Sequence, residues 1–203
     1  MPTFPRTILP KRVSLPAFPG ALQSRGETGK TQTRAFTSAG RRWTETFPAL
    51  STADAATLGF LALINQYWHQ GTIFDIAHRM FLTPKGTATG TPLVNGGSQT
   101  GTSLVTDGWS TSVTGILKAG DILTIAGLTP VYDIVADVNS NGSGQATLSI
   151  SPPIYAGQSP ADNAALTVTG VLFRAILAEP PVIPEADADQ FLVGLTLTFQ
   201  EVP

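Results

Sequence analysis

Bulky and polar residues alternate with a period of two from Arg41 to Phe47, with Trp43, Glu45 and Phe47 on one side and Arg42, Thr44 and Thr46 on the other. That period predicts an extended strand. Pro48 ends it, because proline has no N–H to give to a ladder. The period then changes: Leu58, Leu61, Ile64 and Trp68, with Phe60, Leu63 and Tyr67 beside them, recur at helical spacing and form a broad apolar stripe. Ser51 to Asp54 has the S-x-x-D spacing of a capping box, and Gly71 supplies a left-handed stop. Thr72 to Ile76 returns as a strand. A helix of this length is not stable alone in water, so the stripe needs a sheet to lie on, with Ile64 and Trp68 buried against it.

The remaining pattern is that of a β protein. Met1 to Gly20 is punctuated by Pro2, Pro5, Pro10, Pro16 and Pro19, which predicts an extended arm lying along another surface and not stable by itself. Thr31 to Phe36 reads as a strand feeding Arg41 to Phe47. After Leu82 the composition shifts: Pro84 to Gly108 is dominated by Gly, Thr, Ser and Asn, with Leu93, Val94, Leu104 and Val105 as its apolar points, and Trp109 ends the run. Regular β signals follow. They are Gly115 to Leu117, the turn Lys118 to Asp121, strands Ile122 to Ala126 and Val131 to Val138, the turn Asn139 to Gly144, and a return strand carrying Ala146, Leu148 and Ile150, closed by Pro152-Pro153. Val171 to Leu177 and Phe191 to Phe199 are again strands, separated by the acidic, proline-rich linker Glu179 to Asp189. The expected fold is mostly β with one α-helix. Residues 1–82 with 169–203 would form one domain, and residues 83–168 a small β module inserted into it.

Composition narrows this reading. Only 13% of the 203 residues are charged, against roughly a quarter in typical soluble domains, while Gly (20) and Pro (16) are plentiful. A surface so poor in charge belongs either to a subunit whose faces neighbours cover or to a β protein with Thr-rich faces. The absence of cysteine excludes disulfides and thiolate chemistry and leaves the compartment open. No apolar run approaches the ~20 residues that cross a bilayer, and no signal peptide is expected at the N-terminus.

The net charge of −2 conceals an asymmetry. Residues 1 to 42 carry eight of the twelve Lys and Arg (Arg6, Lys11, Arg12, Arg25, Lys30, Arg34, Arg41 and Arg42) and a single acid, Glu27, for +7. The remainder, with four basic and thirteen acidic residues, is −9. A cationic arm and an anionic body are what subunit contacts use to set register. The candidate interface residues are therefore Arg6, Lys11, Arg12, Arg25, Lys30 and Arg34. A nucleic-acid arm and an inert solvated segment are the competing readings, although the aromatic interleaving of a stacking platform is missing.

Motifs for chemistry are weak. Gly26 to Thr31 (GETGKT) resembles a phosphate-binding loop, but Ser24 stands where the pattern needs glycine, and neither an apolar strand nor a helix flanks it. His69 and His78 have no G-x-S-x-G elbow and no H-E-x-x-H or H-x-x-x-H spacing with them. Asp75 with His78, Asp133 with Asp137, and Asp137 with Asn139 and Asn141 are the pairings to consider, the last as a calcium loop that lacks the bidentate Glu of an EF-hand. No enzyme activity, metal or cofactor is expected.

The basic extended N-terminus, the unit RRWTETFPALSTADA…F…Q…GTIFDI and the closing strand ending TLTFQE together resemble distal tail and tail-hub proteins of long-tailed bacteriophages. The run LKAGDILTIAGLTPVYDIVADVNSNGSGQATLSISPPI is similar to β modules of phage capsid and tail subunits. The two resemblances cover most of the chain. They imply a tail-tube-like β-sandwich or barrel, the belt domain, carrying the inserted module. They also imply a virion structural protein, a homo-oligomeric ring (a hexamer) at the distal tip or hub of the tail tube. Its partners would be the tail tube protein and other tail-tip proteins, with DNA only as cargo in the lumen, no membrane partner, and assembly in the bacterial host cytoplasm. A typical distal tail protein carries its second domain after the belt, whereas here the module sits inside it, so a tail tube or tail-completion ring subunit stays open. The alternative from another class is a host-surface or carbohydrate-binding β module, which would hold Trp109 and Tyr132 exposed for stacking on sugars.

Overall fold

Fifteen short strands and one α-helix form from this sequence among the described residues, which are 1–19, 22–25, 27, 29–34 and 40–203 of a computed structural model. In chain order they are β1 (Arg12–Val13), β2 (Leu22–Arg25), β3 (Thr31–Arg34), β4 (Arg42–Thr46), β5 (Leu50–Ser51), α1 (Ala55–Gln70), β6 (Phe74–Ala77), β7 (Gly90–Val94), β8 (Gly101–Trp109), β9 (Ile122–Ile125), β10 (Tyr132–Ile134), β11 (Ala146–Ile154), β12 (Leu166–Thr167), β13 (Leu172–Leu177), β14 (Phe191–Leu192) and β15 (Thr196–Glu201). They divide into two compact units, residues 1–76 with 174–203 and residues 77–173.

In the first unit the strands are ordered β1-β4-β15-β13-β6. Alternation along β4 and β15 sends Trp43, Leu197 and Phe199 inward, and Trp43 stacks on Phe199 with centroids 5.5 Å apart. Helix α1 covers this layer through Thr57, Phe60, Leu61 and Ile64, with Phe60 against Phe47. The helix start differs from the capping-box reading. Ser51 belongs to β5, which pairs with β14, so its backbone is committed to a strand and its Oγ accepts only from Ala53 N–H. Asp54 is the N-cap, accepting from Ala56 N–H at 3.1 Å. Gly71 ends the helix at φ 57°, a left-handed cap that a β-carbon would strain. The buried face is also phased differently from the expected stripe. Leu58 is 53% exposed because it lies about 100° round the axis from buried Thr57, and Trp68, in the last turn, is 39% exposed.

Residues 2 to 17 dock along both edges of this same sheet. Phe4 N–H donates to Asp75 O at 2.8 Å and Asp75 N–H to Pro2 O at 2.9 Å, a parallel bridge beside β6. Ten residues later, Lys11, Ser14 and Ala17 N–H groups donate to Thr46, Thr44 and Arg42 carbonyls at the β4 edge. One strap thus pairs both edges of the sheet and leaves neither as an open template. Strand β3 pairs with β2 as a hairpin, not with β4, and the expected strand end at Ala35 and Phe36 lies outside the described residues.

The second unit is a six-stranded sheet, β12-β9-β10-β11-β8-β7, whose ends meet: Leu93 bridges Ala165, Val94 N–H donates to Ala164 O and Asn163 N–H to Val94 O, both at 2.9 Å. Closure gives a barrel filled by Val94, Leu104, Leu123, Ile125, Tyr132, Ile134, Leu148 and Ile150. The Gly/Thr/Ser run that carried no strand signal supplies β7 and β8, because Thr packs well on a pleated surface once both strands have neighbours. Ile116 and Leu117 are buried outside the named strands, and Leu117 makes an isolated bridge to Val138. Strand β11 continues through Pro152 and Pro153 to Ile154, and the expected final strand is broken into β14 and β15 at Gly194.

Candidate functional site

The positive N-terminal segment is where sequence placed the interface, and it is held by its own chain. Phe4 is buried between Phe60, Tyr67, Phe74 and Phe199, with the Phe74 centroid at 5.0 Å and the Phe199 ring edge-on at 5.2 Å. Two residues on, Arg6 spans Glu45, Nη1 to Oε2 at 2.5 Å and Nη2 to Oε1 at 2.9 Å. Glu45 occupies a core-facing position of β4 and is wholly buried, so this planar fork answers a charge that water cannot reach. Arg41 likewise is buried against Glu201 at the end of β15, Nη1 to Oε2 at 3.5 Å, and lies over the Phe18 ring at 4.5 Å. Arg42 pairs with Glu179 at 2.9 Å in the open. The attraction between basic segment and acidic body is therefore satisfied partly within one chain. The segment expected to lie along another surface lies along its own chain's sheet.

The other cations of the segment point outward. Lys11 is exposed just before β1 and Arg12 on it, Arg25 is exposed at the end of β2 and Lys30 just before β3, while the side chain of Arg34 lies outside the described ones. Lys11 and Arg12 line a groove of about 310 Å³ with Thr46, Phe47, Val193 and Gly194, so its floor is apolar and its rim cationic. GETGKT is flanked by β2 and β3, with no helix after it to aim amides at a phosphate.

The other sites weighed from sequence are occupied by structural roles. His78 is buried, accepts from Met80 N–H through Nδ1 at 3.4 Å and packs on Phe81 and Phe173, capping a 3-10 turn. His69 is exposed in the last turn of α1. Asp75 gives its backbone to the strap. Asp137 accepts from Lys118 Nζ at 2.7 Å and Ala119 N–H at 3.0 Å, and the lysine bond, then the amide, hold its carboxyl below the ordinary value. The oxygens of Asn139 and Asn141 are taken up by Gly115, Ser143 and Gln145 N–H groups. Among the described residues no three His, Asp or Glu side chains gather as metal ligands.

Sequence reasoning passed over Asp121. Its buried carboxylate accepts from Lys85, Gly86 and Lys118 N–H groups at 2.6, 3.0 and 2.8 Å, fastening the loop after Pro84 to the Lys118–Asp121 turn. A groove of about 380 Å³ beside it is lined by Arg79, Met80, Phe81, Lys85 and Val168, but the carboxylate is already consumed by amides. Trp109 and Tyr132 are barrel core residues and present no stacking face. Trp109 Nε1 donates to Thr106 Oγ1, and that hydroxyl donates to Ala146 O, both at 2.8 Å. No helix among the described residues is long and apolar enough to cross a membrane.

No protein-family model matches this chain, and no curated protein matches it.

Proposed function

We propose that this chain is a structural subunit of a bacteriophage tail that assembles as a homo-oligomeric ring, a hexamer at the distal tip or hub of the tail tube. Its work is assembly. The first unit acts as a tail-tube-like belt around the lumen, the barrel of residues 77–173 as an inserted module, and DNA passes only as cargo. The tail tube protein and other tail-tip proteins are its neighbours in the virion, and it assembles in the host cytoplasm. A tail tube or tail-completion ring subunit is the variant of this reading that places the same ring elsewhere.

The observation that carries the reading is the fate of the basic segment. Arg6, Arg41 and Arg42 pair within the chain, while Lys11, Arg12, Arg25 and Lys30 stay exposed without an ion pair among the described residues. In a chain with only 13% charged residues, such a set suits a register-setting contact with another subunit. The test is complementation of a phage lacking this protein with the Lys11→Glu, Arg12→Glu, Arg25→Glu variant, followed by electron microscopy of the particles. The expected result is an isolated subunit that melts almost as the parent does and particles without complete tails. Normal tails overturn the reading, and weakened DNA binding with intact tails assigns the arm to nucleic acid.

A further inference from the structure

The groove at Lys11 and Arg12 has a complement in charge on the same chain, with which it makes no ion pair among the described residues. Residues 179–189 run EPPVIPEADAD, and Glu185, Asp187 and Asp189 are all exposed. Val182 in the middle is 76% exposed, and Val193, on the groove side, 64%. Backbone pairing orders these segments across one end of the first unit: Arg12 beside Thr46, Thr46 beside Thr196, Thr196 beside Val182. Three inter-strand steps separate Arg12 from Val182, about 14 Å along the sheet. Among the described residues neither Lys11 nor Arg12 forms an ion pair with Glu185, Asp187 or Asp189, so these charges are left unpaired by one another within one chain.

We propose that the acidic segment of one copy seats in the basic groove of a second copy, giving head-to-tail self-association. Two different patches of one chain that fit each other make a heterologous contact, which closes into a ring when the rotation allows and otherwise extends. Apolar matching accompanies charge matching: Val182 is largely exposed and Ile183 partly so, and Phe47 and Val193 line the groove. Pro180, Pro181 and Pro184 keep the segment extended, so little chain entropy is lost when it docks. Asp187 turns the chain by accepting from Asp189 and Phe191 N–H groups, which presents Glu185 and Asp189 on either side of it. The inference deepens the assembly reading by naming its two faces; it depends on that reading only for where the assembly is used.

A charge swap tests it on the purified full-length protein. Sedimentation velocity and light scattering are run on the wild type, on Lys11→Glu/Arg12→Glu, on Glu185→Lys/Asp189→Lys, and on an equal mixture of the two variants, with Asp187 left intact to preserve the turn. The wild type is expected to self-associate more weakly as salt rises, and each variant alone to associate at least about tenfold more weakly. The mixture should regain association, because each acidic partner again meets a basic one. Circular dichroism confirms that both variants are folded. A wild type that stays monomeric at every concentration and salt, or a mixture no more associated than its components, overturns the contact. Association in solution alongside normal tails from the arm variant instead overturns the tail reading and leaves the contact standing.

Discussion

Arg6 grips Glu45 through both terminal nitrogens, at 2.5 and 2.9 Å, and this one pair ties the N-terminal strap to a carboxylate that has no access to water. Removing the arginine leaves a buried charge alone, the costly half of such a pair. Arg6→Ala should lower unfolding stability by about 2–3 kcal/mol, discounted because the Arg6 side chain keeps some solvent contact. Denaturant titration measures it. Arg6→Ala with Glu45→Gln should recover part of the loss, since the amide carries no charge to strand. An unchanged midpoint for Arg6→Ala would mean that the pair holds nothing.

Phe4 is the apolar anchor of the same strap. Phe4→Ala removes a ring that touches four aromatic neighbours, a change that costs about 3–5 kcal/mol in a packed core. Because the strap docks along the sheet edges through backbone bonds that can open locally, the expected outcome is its release, not global unfolding. Trypsin should cut at Lys11 and Arg12 much faster in Phe4→Ala than in the wild type, with the remaining fragment still resistant. Equal cleavage rates would show that the strap is held without Phe4.

The helix gives a contrast between two apolar residues of one stripe. Ile64 is fully buried and Leu58 is not. Ile64→Asp should prevent folding of the first unit, as an unpaired carboxylate in its core has no partner. Leu58→Asp should change stability by no more than about 0.5 kcal/mol, the usual size of a surface substitution. Thermal melts of the two variants check this, and similar damage from both would place Leu58 under cover.

Asp137 sets a pH dependence. Its carboxyl is held below the ordinary value by Lys118 and the Ala119 amide, so the folded chain favours the ionised form more than the unfolded chain does. Its contribution is therefore present above the unfolded value and lost as pH falls through the folded one. The wild type should exceed Asp137→Asn in melting temperature near neutrality, and the gap should close in the acid range below ordinary carboxylate titration. The group is exposed, so the gap is small; a gap that persists or grows in acid would assign the wrong sign.

Strand patterns within the chain were legible to different degrees. The composition break after Leu82 and the return to bulky strands near Val171 lie close to the places where the chain leaves one unit at Ile76 and re-enters it at Arg174. Within the barrel, β11 was readable because Ala146, Leu148 and Ile150 alternate with polar residues. Strands β7 and β8 were not, because Thr, Ser and Gly commit to strand only when partners on either side take their hydrogen bonds.

Local pattern alone determined the β character, the single helix, its Gly71 stop and the core face of β4, since periods of two and 3.6 follow from backbone geometry. It also held an unread signal: Glu45 and Glu201 sit at core positions of strands in line with Trp43 and Phe199, and a charge in such a place needs a partner. Which cations those partners are could not be read from the chain, because Arg6 and Glu45 are 39 residues apart and Arg41 and Glu201 are 160 apart. Tertiary structure decided that the proline-rich N-terminal segment docks on its own sheet, because the edges of β4 and β6 lie at a distance one extended strap can span. It decided as well that Leu58 and Trp68 stay partly in water: a sheet covers one side of a helix, and a stripe as wide as this one runs past it.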